Sequence, residues 1–168
     1  MRTVKIIGVG APHGDDWLGW ELAERLRASE RLTAWGERVS ITLHDNPSAA
    51  LAQAWRNTGL VILLDSARTG AAPGTLHHLD AQQLQNPLST SGGTGTGVMG
   101  AVRLAVALEA LPESLEFYGV EADTQHAALC LSDTVYACLP ALVEKVAARV
   151  DEYLRVETSV AMDDAAPE

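Results

Sequence analysis

A chain of 168 residues has the size of one domain that can bury a core without disulfide or metal staples, and 47% hydrophobic with 20% charged residues is a globular balance. Twelve Lys and Arg against twenty-two Asp and Glu leave a formal charge of -10, with the basic residues scattered, so nucleic acid and an anionic membrane surface are both disfavoured partners. A metal, a small electrophile or a partner protein suits that field better. No apolar run approaches a membrane span, the N-terminal apolar stretch is too short for a signal peptide, and Cys130 and Cys138 form neither a CxxC nor a secreted disulfide framework. The expectation is a soluble, cytoplasmic protein with two buried, reduced thiols.

In chain order, residues 3–9 (TVKIIGV) predict a first strand. Leu18, Leu22 and Leu26 then recur at helical spacing behind Asp15 and Asp16, with Glu21 four residues before Arg25, and predict an amphipathic helix. Residues 39–43 (VSITL) alternate as a second strand. Asn46 as a cap and Pro47 at the first helical position open a short helix that residues 57–59 close. Residues 60–64 (LVILL) have no polar face, as in a strand covered on both sides. Residues 75–79 (TLHHL) are a weaker candidate for an edge strand. Val98, Ala101, Val102, Ala105 and Leu108 form one helical stripe, ended by Pro112. Residues 115–120 (LEFYGV) predict another strand, and Ser132 a cap for a long last helix running to about Leu154 and bent at Pro140. The acidic residues 156–168 are expected to be disordered. The order predicts a single α/β domain over residues 1–155, a three-layer α/β/α sandwich with a twisted, mostly parallel sheet.

In such a sheet the first strand lies between the second and third, and ligands bind in the crevice at the carboxyl ends of strands one and three. Asp16, just after strand one, and Asp65, just after strand three, converge there, with Asp45 at the same edge. Helix-start capping explains Asp15 without invoking chemistry, and a turn role remains an alternative for Asp65. The glycine-rich segment 89–97 (STSGGTGTG) reads either as a flexible connector or as a loop whose backbone approaches a substrate; Gly93, Thr94 and Gly95, together with Asp45, are the candidate substrate-binding residues. GVGAPHG at 8–14 lacks the third glycine of GxGxxG, so it is weak support for a nucleotide-binding protein. His13 and His44 fall near the crevice, His77 and His78 on the edge strand, and His126 in a later loop. No Ser, His and Asp set with motif context is present.

Residues 8–26 (GVGAPHGDDWLGWELAERL) resemble the opening of the nickel-iron hydrogenase maturation endopeptidases, and the likeness continues in order through HDNP at 44–47, LLDSA at 63–67, APGTL at 72–76, FYGVEAD at 117–123 and LSDTV at 131–135. The resemblance implies a peptidase that removes a C-terminal extension from a hydrogenase large-subunit precursor, recognising nickel that the substrate brings, with no metal bound permanently. It also implies that Asp16 and Asp65 are the metal-contacting and catalytic carboxylates. The family's third contact, a loop histidine, falls on Thr94, whose neutral hydroxyl is a poor nickel ligand. Ala11 and Trp17 depart from the family pattern as well. Three accounts remain open: His13, or after it His44, supplies the missing ligand; the two aspartates hold the metal alone; or the chain binds a metalloprotein precursor without cutting it.

Overall fold

The computed structural model describes residues 1–45, 48–86 and 98–163. Five strands form one sheet in the order β2-β1-β3-β5-β4. β1 (Val4–Val9), β2 (Val39–His44), β3 (Leu60–Ala67) and β5 (Ser114–Glu121) are parallel, and β4 (Leu76–Asp80) closes one edge antiparallel to β5. The three-layer, mostly parallel architecture expected from the sequence is the one observed, with β1 between β2 and β3.

Alternation along the strands divides the core into two. Val4, Ile6, Ile62 and Leu64 face α1 (Leu18–Arg27) and α7 (Leu139–Asp163), while Ile7, Val9, Val61 and Leu63 face α3 (Ser48–Ala54) and α5 (Val98–Ala107). Both faces of β1 and β3 are therefore buried, which is why their sequences lack a polar side. Between α1 and β2 lies a short helix, α2 (Glu30–Thr33), and after β4 comes α4 (Ala81–Gln85), opened by a capping box between Asp80 and Gln83.

Several boundaries differ from expectation. α5 ends at Ala107, and Glu109 takes a left-handed conformation (φ 51°), so the helix stops before Pro112 and Leu108 is left 57% exposed instead of joining the buried stripe. The long last helix is preceded by a separate turn, α6 (Asp133–Tyr136), and α7 begins at Leu139, which puts Pro140 in its first turn, where proline is tolerated. α7 also continues to Asp163, so residues 156–163, expected to be disordered, are helical. Asn46 and Pro47, the expected opening of α3, lie outside the described residues. Cys130 is exposed and Cys138 half-buried, both as free thiols, which corrects the expectation of two buried ones.

The element that sets the site is α1. A β-carbon on Gly8 of β1 would strike the Gly19 carbonyl, and one on Gly19 would strike the carbonyl oxygens of Val9 and Leu64. The start of α1 thus rests directly on the carboxyl ends of β1 and β3, closer than any other residue would allow. Gly19→Ala is expected to push α1 off the sheet and to cost roughly 2–4 kcal/mol of stability, measured by urea unfolding. A loss below about 0.5 kcal/mol would show that the contact does not constrain the fold.

Candidate active site

Beyond Val9 the chain stays beside β2 for one more residue, the Gly10 N–H donating to the His44 carbonyl (3.1 Å). A 3-10 turn, Gly14–Trp17, then carries two aspartates back over the sheet edge, held by Asp16 N–H to the His13 carbonyl (3.2 Å) and Ala11 N–H to the Asp16 carbonyl (3.1 Å). The neighbours have different surroundings. Asp15 is buried, and its carboxylate accepts hydrogen bonds from the Ser132 N–H (2.7 Å), the Ser132 hydroxyl (2.9 Å) and the Asp123 N–H (2.8 Å). Asp15 therefore fastens the segment after β5 to the turn after β1. Ser132 directs its hydroxyl to Asp15 and makes no side-chain cap at α6, which corrects the role expected for it.

Asp16 faces the crevice. Asp65 stands inside β3, opposite Gly119 of β5, because the strand runs three residues beyond the apolar stretch. Ser66 spans the pair, its N–H donating to Asp65 Oδ1 (2.7 Å) and its hydroxyl to Asp16 Oδ1 (3.4 Å). Burial pushes the Asp65 carboxyl up to about 8; the Ser66 N–H opposes the rise, the negative charge of Asp16 adds to it, and Arg68 works against it. The two carboxylates thus occupy a common field, although 49 residues separate them in the chain. Arg68 Nη2 donates to Asp16 Oδ1 at 2.8 Å, an ion pair in which the arginine side chain is 54% exposed.

The backbone that carries Arg68 is braced by Glu121 at the end of β5. Buried to 2% exposure, this carboxylate accepts from the Thr69 N–H (2.8 Å), the Thr69 hydroxyl (2.9 Å) and the Gly70 N–H (3.0 Å), and it lies 2.9 Å from His77 Nε2. Burial alone would raise its pKa, but the Thr69, His77 and Gly70 bonds outweigh that and hold it below the ordinary value. Arg68 and Glu121 escaped sequence reasoning. A basic residue three positions after Asp65, and a charged residue closing an apolar strand as Asp65 does, were the available signals.

The other candidates are more scattered. Asp45 is exposed just past β2, with β1 between it and β3. His13 is exposed at the entry to the 3-10 turn, and His44 ends β2, its carbonyl accepting from Trp20 Nε1 (3.0 Å) as well as from Gly10. His78 lies 2.9 Å from a Glu116 carboxylate oxygen, and His126 Nε2 is 2.7 Å from the Cys130 carbonyl. Among the described residues no three His, Cys, Asp or Glu side chains are grouped to hold a metal ion, so neither His13 nor His44 completes a ligand set with Asp16 and Asp65 in this conformation. Gly93, Thr94 and Gly95 lie outside the described residues. The helix start after β1 presents carboxylates where a bound phosphate would need positive potential, which weighs against the nucleotide alternative.

A mostly parallel α/β sheet with two carboxylates brought together at its switch point is the class that the fold and the site define. In structure the chain has the fold of the hydrogenase maturation endopeptidases. It superposes on the hydrogenase maturating endopeptidase HybD from E. coli with a TM-score of 0.71 at 22% identity, covering 91% of this chain and 94% of that one. The [NiFe] hydrogenase maturation protease HybD from Thermococcus kodakarensis gives 0.64 at 23% identity, with 87% and 97% covered. An uncharacterized protein from Wolinella succinogenes gives 0.59 at 15% identity over 92% and 99%. No protein-family model and no curated protein sequence matches the chain. None of the described helices is long and apolar enough to cross a membrane.

The raised Asp65 has a consequence for stability. Its native form keeps a proton that the unfolded chain releases near the ordinary value of 3.8, so this residue makes the protein less stable as pH rises from about 4 to about 8, with no further change above that. The slope is at most about 1.4 kcal/mol per pH unit. Asp65→Asn is expected to remove this component, so that the difference in unfolding free energy between variant and wild type grows with pH across that window. A pH-independent difference in denaturant melts would show that Asp65 titrates normally.

Proposed function

We propose that the chain is a peptidase that matures a hydrogenase, cutting a C-terminal extension from a large-subunit precursor that already holds nickel, and that it has no resident metal of its own. The observation that carries this reading is the meeting of Asp16 and Asp65 at the carboxyl ends of β1 and β3, in a chain whose fold is that of proteins described as hydrogenase maturation endopeptidases. Two carboxylates leave a metal's coordination largely unfilled, and a nickel ion that arrives with precursor ligands needs only oxygen donors to complete it. Ligation requires the carboxylates to be deprotonated, so docking of the nickel displaces the Asp65 proton.

The docked cation polarises the adjacent peptide carbonyl or a water. Water then attacks the carbonyl carbon, a carboxylate takes its proton, and that proton passes to the leaving amine as the C–N bond breaks. Asp16 and Asp65 are the two carboxylates at the site that could carry it. A cytoplasmic location fits the two free cysteines, which a reducing compartment would keep as thiols.

Thr94, in the place of a family histidine, favours a second reading in which the chain binds a metalloprotein precursor without cutting it. One assay separates them. Nickel-loaded precursor incubated with the protein is expected to lose the mass of its extension, and the Asp16→Ala Asp65→Ala variant to cleave at least about 100-fold more slowly, as loss of a general base alone would give. An unchanged mass with stable binding would support the second reading. Equal cleavage by the double variant would remove the aspartates from the chemistry.

A further inference from the structure

We infer that Arg68 is a specificity-determining residue, a guanidinium that occupies Asp16 in the free protein and so makes the aspartate pair reject free hydrated divalent cations while admitting nickel presented within a docked precursor. The inference deepens the proposed function and rests on the assignment of Asp16 and Asp65 as the pair that meets substrate nickel.

Three features support it. Arg68 Nη2 sits 2.8 Å from Asp16 Oδ1, on the carboxylate that a cation would need. The backbone beside it is fixed, since Glu121 holds Thr69 and Gly70 by three hydrogen bonds, yet the Arg68 side chain is 54% exposed. The guanidinium can therefore swing away without moving the loop, and an exposed ion pair resists that only weakly. A free cation must replace the guanidinium and also approach its positive charge, with only the two carboxylates to offset these costs. Nickel inside a precursor docks together with the surface around it, at an effective concentration far above that of the free ion, so displacement of Arg68 is offset by the remaining contacts. This chain's acidic balance gives such a residue a purpose, because a formal charge of -10 draws cations toward the crevice.

Titration calorimetry with nickel(II) chloride on the full-length protein tests the assignment, comparing wild type with Arg68→Gln and Arg68→Lys. Because the side chain is largely exposed, both variants should melt within a few degrees of wild type. Arg68→Gln is expected to bind nickel on the order of ten-fold more tightly at low salt, with the ratio shrinking toward one in roughly 0.5 M salt, and Arg68→Lys to lie between. Adding Asp16→Ala to Arg68→Gln should abolish the gain. Equal affinities for wild type and Arg68→Gln, a gain that survives Asp16→Ala, or no nickel binding by Arg68→Gln would each overturn the assignment. The gate and the peptidase fail separately: intact precursor cleavage with equal nickel affinities overturns the gate alone, whereas an affinity gain without precursor cleavage upholds the gate and overturns the peptidase.

Discussion

The start of α1 lies on the carboxyl ends of β1 and β3 with no side chain between helix and sheet, because Gly8 and Gly19 face each other there and the Gly19 position also meets the Val9 and Leu64 carbonyls. That contact fixes where the 3-10 turn before α1 can sit, and with it the position of Asp16 above the end of β3. A helix moved outward by even one methyl group would carry Asp16 away from Asp65 and from Ser66, whose N–H and hydroxyl span the two. The site is thus a product of backbone packing, and its polar contacts are added to a geometry already set by two absent side chains.

Around that contact, four carboxylates at one edge of the sheet divide into two kinds. Asp15 and Glu121 are buried and fully engaged, each receiving three hydrogen bonds from loop backbone and hydroxyl groups, and Glu121 lies beside His77 as well. They act as braces, one fastening the segment before α6, the other the loop that bears Arg68. Asp16 and Asp65 are the less completely satisfied pair, one in an exposed ion pair, the other holding its proton up to about 8. Charge crowding of this kind costs stability in a chain that is already acidic, and such a cost tends to be retained where a site has use for it.

Much of the frame was legible in the sequence. LVILL has no polar face because β3 is covered by helices on both sides, and an Asp ending such a run had few structural explanations, so Asp65 stood out. Wound topology then placed Asp16 opposite it. What escaped was set by contacts between distant segments. Ser132 looked like a helix cap, but its partner is Asp15, 117 residues earlier. Glu121 lies just past the expected strand and drew no reading, though it is the brace for a loop some fifty residues before it. Arg68 carried only a weak signal, a basic residue three positions after Asp65, which is ordinary until the carboxylate it meets is known. His13 was placed near the crevice by its position in the chain, but it sits exposed at the entry to the turn and, among the described residues, joins no ligand set in this conformation.

The central claim is that Asp16 and Asp65 form one electrostatic unit. Carbon-13 NMR of the side-chain carboxyls, followed across pH in wild type and in Asp16→Asn, tests it most directly. The Asp65 signal is predicted to titrate near 8 in wild type, because burial and the charge of Asp16 both favour its proton, and to move toward the ordinary value when that charge is removed. An Asp65 midpoint near 4, or one indifferent to Asp16→Asn, would contradict the account.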